Sequence, residues 1–99
     1  MILYNVTVNV LDSVHEEWLE WMKSKHIPDV LATGLFIESK IFRIKSEEVE
    51  NTYSIQYFLK SMEDYENYAK NFAPSLQKEH EDKYKDKFFA FRTILESID

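Results

Sequence analysis

Between Ile2 and Val10 the apolar side chains of Ile2, Tyr4, Val6, Val8 and Val10 alternate with Asn5, Thr7 and Asn9. A two-residue period of this kind predicts a strand with one face in a core. Ser13 followed three residues later by Glu16 predicts a capping box, with Asp12 as a competing cap. It opens a helix carrying Val14, Trp18, Trp21 and Met22 on one side and Glu16, Glu17, Glu20 and Lys23 on the other. Pro28 disfavours helical geometry at Ile27, so this helix is expected to end near Lys25 or His26. A short new helix then runs from Pro28 to Thr33, and Gly34 stops it.

Residues 36–44 and 52–59 are rich in Ile, Phe and Tyr and flank the polar stretch Ser46-Glu47-Glu48-Val49-Glu50-Asn51, which predicts an antiparallel strand pair. Ser61, with Asp64 three residues on, starts a helix whose apolar residues Met62, Tyr65, Tyr68, Ala69 and Phe72 step by threes and fours. A proline inside a helix costs about 3 kcal/mol. The chain is therefore expected to break at Ala73 and begin afresh at Pro74, with Leu76, His80 and Tyr84 at four-residue spacing. Residues 88–95 form the last strand, with Phe89, Phe91, Thr93 and Leu95 on one face and Phe88, Ala90, Arg92 and Ile94 on the other.

The order β, α, β, β, α, β is that of the ferredoxin-like split βαβ arrangement: an α+β fold with a four-stranded antiparallel sheet and both helices on one face. The 99 residues are expected to make one domain. Two helices cover one side of such a sheet, so a second face is left over. The residues expected on it are Asn5, Thr7, Asn9, Ser54, Gln56 and Phe58, joined by Glu38, Lys40, Phe42, Phe88 and Arg92. That face is too aromatic for solvent and too polar for a dry core. It suits a two-fold interface between copies, with sheet facing sheet, or a cavity wall on which Asn, Gln and Arg orient a small molecule. A homodimer through the open sheet face is the expected assembly.

Composition narrows the chemistry. The formal net charge is −6, and the 12 Lys and Arg are scattered, so a nucleic-acid partner is not expected. No apolar run approaches the ~20 residues of a membrane-spanning helix. With no basic, apolar leader before the first strand, the expected location is the cytoplasm. The single Gly excludes a glycine-rich phosphate cradle, and the absence of Cys excludes a thiol nucleophile, an iron–sulfur centre and disulfides. His15, His26 and His80 lack the close spacing of metal ligands, so neither a metal nor a cofactor is expected. His80, on the apolar row of its helix, reads as a hydrogen-bonded packing residue. His26 reads as a helix-end residue at a stiff corner, where Asp29 could orient it or cap the next helix. Trp18 and Trp21, three apart, read as core. The expected ligand-binding set is Asn5, Thr7, Asn9, His26, Ser54, Gln56, Phe58, His80 and Arg92, with no catalytic residue assigned. The acidic loop Glu47, Glu48 and Glu50 offers a third possibility, a protein-interaction module.

The segments Ile2-Leu3-Tyr4-Asn5-Val6-Thr7, His15 through Trp21-Met22, His26-Ile27-Pro28-Asp29-Val30, Gln56-Tyr57-Phe58, Met62-Glu63-Asp64-Tyr65 and Phe91-Arg92-Thr93 carry a resemblance over nearly the full chain. It resembles the bacterial domain-of-unknown-function family four-two-eight-six, and its expected shape is similar to the dimeric α+β barrel superfamily. That superfamily holds cofactor-free monooxygenases, haem-degrading enzymes, small isomerases and plain ligand-binding modules, so the resemblance implies a fold and leaves the activity open. The haem-degrading branch uses an Asn on the first strand with a Trp and a His from the second half. Here Asn5 or Asn9 and His80 are present, but both Trp lie in the first helix, and that pattern is not carried over. The expected function is a small-molecule-binding or regulatory module, with a cofactor-free monooxygenase or isomerase as the alternative. A titratable side chain among His26, His80, Glu38 and Arg92 pointing into an enclosed space would discriminate them.

Overall fold

The computed structural model describes residues Met1–Asp99. Four antiparallel strands, β1 (Ile2–Val10), β2 (Glu38–Arg43), β3 (Thr52–Leu59) and β4 (Phe88–Glu96), form one sheet in the order β2-β3-β1-β4. Helices α1 (His15–Trp21), α2 (Ile27–Leu31), α3 (Met62–Asn71) and α4 (Ala73–Lys83) accompany it, giving the ferredoxin-like α+β fold. The alternation in β1 produces the expected division. Ile2, Tyr4, Val8 and Val10 are buried with Tyr53, Ile55, Tyr57 and Leu59 of β3 beneath the helices. Trp18, Met22, Val30, Tyr68 and Tyr84 complete the core from above. No helix is long and apolar enough to cross a membrane.

Ser61 caps α3 as its sequence predicts, its hydroxyl accepting from the Asp64 amide at 3.2 Å. The helix then breaks at Phe72, and α4 carries Pro74 in its first turn, where a missing N–H costs nothing. The Ser13 capping box does not form. Asp12–Val14 instead makes a 3₁₀ turn, α1 begins at His15 without a side-chain cap, and the Asp12 carboxylate accepts from Asn51 Nδ2 at 3.1 Å. The second strand is shorter than its apolar run, covering Glu38–Arg43.

The break expected at Lys25 or His26 is also absent. His26 and Ile27 both keep right-handed helical angles, and the stretch from His15 to Leu31 is continuous through a π-helical turn, Met22–His26. The Ile27 amide reaches back five residues to the Met22 carbonyl. In a regular α-helix the Pro28 ring would meet the carbonyl four residues earlier, that of Ser24. Widening the preceding turn removes this conflict without ending the helix. Gly34, at φ 80°, then stops it as expected.

The last correction concerns β4. Phe88 and Arg92 do not lie on the open face. The register pairs Val10 with Phe88 and Val6 with Arg92, which puts both on the helix side, and it is Phe89, Phe91, Thr93 and Leu95 that share the open face with Asn5, Thr7 and Asn9. Glu38, Lys40 and Phe42 do fall there, opposite Phe58, Gln56 and Ser54.

Candidate active site between helices and sheet

The nine candidate residues separate into two groups on opposite faces of the sheet. Asn5, Thr7, Asn9, Ser54, Gln56 and Phe58 are on the open face. Several of their polar atoms are linked to one another or to the neighbouring backbone. Ser54 donates to Asn5 Oδ1 at 2.6 Å, Asn5 Nδ2 to Thr7 Oγ1 at 3.1 Å and Gln56 Nε2 to Ser54 Oγ at 3.2 Å. Asn9 Nδ2 donates to Thr52 Oγ1 and to the Glu50 carbonyl, both at 2.8 Å. Around this ladder stand Phe42, Phe89, Phe91 and Leu95, all exposed, with Phe89 70% and Phe91 53% accessible.

His26, His80 and Arg92 converge on the other face. His26 is 8% and His80 5% exposed, and their ring centroids are 5.3 Å apart. The π-helical turn delivers His26. It brings the ring within 5.1 Å of Trp21, five residues earlier, and turns His26 inward beside Ile27. α4 delivers His80, whose ring stacks on Phe88 of β4 at 4.1 Å with an 8° tilt. The Trp18 indole N–H donates to His80 Nε2 at 2.9 Å. An indole can only donate, so Nε2 must be the accepting nitrogen and the proton of the neutral ring sits on Nδ1. His26 Nδ1 is buried and has no hydrogen-bond partner.

Burial dominates the electrostatics. It lowers the His26 pKa to about 4, with Lys25 and Arg92 acting in the same sense and Asp29 against them. Burial likewise lowers His80 to about 3, helped by His26 and Arg92. Both rings are therefore neutral at pH 7. Asp29 does not bond to His26; its carboxylate is held by Lys25. Arg92, an exposed residue of the edge strand β4, donates through Nε to the buried Tyr4 hydroxyl at 3.1 Å. Burial raises the pKa values of Tyr4, Tyr57 and Tyr68, so these phenols stay protonated.

These side chains enclose a cavity of about 20 Å³ lined by Tyr4, Met22, His26, Tyr68, Gln77, His80 and Arg92 together with apolar residues of β1 and β3. That is room for one water-sized group. Gln77, His80 and Arg92 also line an open groove of about 570 Å³ between α4 and β4, so the cavity and the groove share one polar wall. No three His, Asp or Glu side chains are grouped to hold a metal ion. Sequence reasoning missed Tyr4, Gln77 and Phe88 as neighbours of the histidines. Only the four-residue step between Leu76 and His80 pointed to the inner face of α4.

A second polar cluster lies on the other side of Trp18, whose ring is 5.4 Å from Tyr53 and 6.3 Å from His80. His15 Nε2 and the Tyr53 hydroxyl are hydrogen-bonded, and Arg43 donates to the same hydroxyl at 3.0 Å. Glu38 is exposed on β2, away from the cavity.

The chain matches the model of the family described as Domain of unknown function (DUF4286) over residues 1–98, and it belongs to that family. Similar solved structures share the fold at low identity. A dimeric ferredoxin-like protein from an uncultured marine organism is 14% identical with a TM-score of 0.74, covering 99% of this chain and 94% of its own. HapK from Hahella chejuensis is 7% identical with a TM-score of 0.73, covering 99% and 93%. SnoaB, a cofactor-independent oxygenase from Streptomyces nogalater, is 8% identical with a TM-score of 0.71, covering 99% and 94%. No curated protein matches the chain in sequence.

Proposed function

We propose that this DUF4286 chain is a homodimeric α+β barrel protein that binds a small organic molecule between α4 and β4, against His26, His80, Gln77 and Arg92. The observation that carries this reading is the buried pair of neutral histidines, one with an unpartnered ring nitrogen, on the wall of a cavity that shares Gln77, His80 and Arg92 with an open groove. An unsatisfied buried nitrogen costs about 1–3 kcal/mol, a cost that a bound polar group removes. The open face supports the dimer. Asn5, Thr7, Ser54 and Gln56 are already joined in a hydrogen-bonded ladder, so a second copy covering Phe42, Phe89, Phe91 and Leu95 buries polar groups that are in part paired, with the remaining amide atoms available to pair across the two-fold axis. The open-face amides then serve the interface rather than a ligand.

The alternative is a cofactor-free enzyme, as SnoaB is described. Two titratable rings on an enclosed space favour it. Against it, a ring with a pKa of 3 to 4 is a weak proton acceptor at pH 7, whereas a general base works best with a pKa near the operating pH. Binding is the reading the site supports better.

A fragment screen on ¹⁵N-labelled protein, read through the imidazole resonances, tests the proposal. Binders are expected to move the His26 and His80 ring signals and leave His15 in place. Fragments that bind only on the open face, or none that bind, would refute the site. Sedimentation equilibrium addresses the dimer: a monomer at roughly tens of micromolar, where a standard-sized interface should hold, refutes it.

A further inference from the structure

The charges around the cavity are lopsided. The chain as a whole is at −6, yet Arg92 is the sole formally charged side chain on the cavity wall, and no Asp or Glu lines it. Arg92 has no carboxylate partner; the ion pairs of the chain join Lys25 to Asp29 and Glu79, Lys40 to Glu38 and Lys78 to Asp82. Its Nε is committed to the Tyr4 hydroxyl, which fixes the guanidinium plane and leaves the terminal nitrogens of the fork free. Gln77, whose side-chain amide also hydrogen-bonds the Tyr4 hydroxyl, and His80, protonated on Nδ1, line the same groove. A guanidinium fork with neutral donors at its flanks is the chemistry that recognises a planar carboxylate.

The rest of the groove defines the other end of the ligand. Pro74, Phe88, Phe89 and Ala90 give it an apolar side, while Glu81 and the Lys78–Asp82 pair form its acidic outer rim. A second negative charge on the ligand would meet that rim and be repelled. The inner cavity, at about 20 Å³, admits a single heavy atom beyond the fork and cannot take a ring.

We propose that the site selects an organic monocarboxylic acid, its carboxylate on Arg92, Gln77 and His80 with one oxygen directed toward the inner cavity, and its uncharged apolar body along Phe88 and Pro74 in the groove. This rests on the binding-site reading above and adds the charge and polarity of the ligand.

The test titrates labelled protein at pH 7 with acetate, hexanoate and benzoate and with the matching primary amides, following the His26 and His80 ring signals. Hexanoate and benzoate are expected to bind at least about ten-fold more tightly than their amides, equivalent to 1.4 kcal/mol. Arg92→Gln removes that preference, and Arg92→Lys, which keeps the charge but not the fork, retains part of it. Thermal melts of both variants confirm that they are folded. If amides and acids bind alike, or if Arg92→Gln leaves the preference intact, acid selection is overturned while the binding site itself stands. If neither series moves the histidine signals at about 10 mM, weaker than a millimolar site should require, the acid proposal is also overturned. A separate fragment hit on the same rings would then preserve the site.

Discussion

Acid should unfold this protein steeply, and the two buried histidines set where. In the folded chain the pKa of His26 lies at about 4 and that of His80 at about 3, both lowered chiefly by burial; in an unfolded chain each returns to an ordinary value of about 6.5. As the pH falls below about 6.5 the unfolded chain takes up two protons that the folded chain refuses. The stabilisation is thus complete above that pH and drains away through the window down to the folded values. Linkage gives about 1.4 kcal/mol per pH unit for each proton, about 2.7 kcal/mol per unit for the pair. Between pH 7.5 and 4.5 the loss comes to roughly 5 kcal/mol, against a total of about 5–15 kcal/mol for a typical domain.

Urea unfolding followed by tryptophan fluorescence, at one protein concentration so that any dimer contribution is constant, measures this directly. The midpoint should fall steadily from pH 6.5 to 4.5. His26→Gln, which removes one of the two protons, should roughly halve the slope. A midpoint that stays level across this window would refute the reasoning. So would a folded-state NMR titration in which either ring protonates near pH 6.5, because the ring would then be in contact with solvent.

Three further outcomes follow from the same geometry. Trp18→Phe removes the donor that fixes His80, and should cost about 1–3 kcal/mol for the stranded nitrogen in addition to lost packing, with both His80 tautomers appearing in ¹⁵N spectra; a single unchanged tautomer would show that the indole does not set it. Pro28→Ala restores an amide and lifts the ring's conflict with the Ser24 carbonyl, so the π-helical turn should relax, His26 should rotate toward solvent and its pKa should rise toward 6.5. A His26 that still resists protonation above pH 5 would mean that packing alone maintains the turn. Phe91→Asp puts a charge among the exposed aromatic side chains of the open face and should weaken dimerisation by at least about ten-fold, 1.4 kcal/mol, in sedimentation equilibrium; an unchanged association constant would place the interface elsewhere.

Where one face of an element is apolar and the other polar, the sequence is enough to place it. β1 alternates cleanly, and β3 has Tyr53, Ile55, Tyr57 and Leu59 against Ser54 and Gln56, so both are legible to the residue. β4 is different. Phe88, Ala90 and Ile94 on one side are matched by Phe89, Phe91 and Leu95 on the other, so its own pattern does not say which side meets the helices. The answer resides in the pairing of Val6 with Arg92 and Val10 with Phe88, a long-range register that no local window contains. A one-residue change of parity moves Arg92 from the open face to the helix side. The Ser13 box failed for a related reason: it is a local rule, and Asn51, far along the chain, already holds the competing Asp12 carboxylate.

His26, His80 and Arg92 all stand in the expected ligand-binding set, but their separation from the open-face residues was hidden because each has an ordinary explanation when taken alone. His80 looked like a packing residue, and its bond from Trp18 and its stack on Phe88 do make it one. His26 looked like the end of a helix because proline normally ends one, and the π-helical turn that keeps the helix going leaves no mark in the hydrophobic period. Arg92 looked like one more polar group on a mixed face. What makes them a site is their convergence. The helix layer comes over β1 and β4 so that two uncharged imidazoles and an unpaired guanidinium share one wall, while the polar groups of the opposite face pair among themselves. On the function proposed above, the two faces of the sheet take different tasks. The face whose amides are in large part tied to one another can be buried against another copy, and the face with a free ring nitrogen and a free guanidinium still has bonds to offer a ligand.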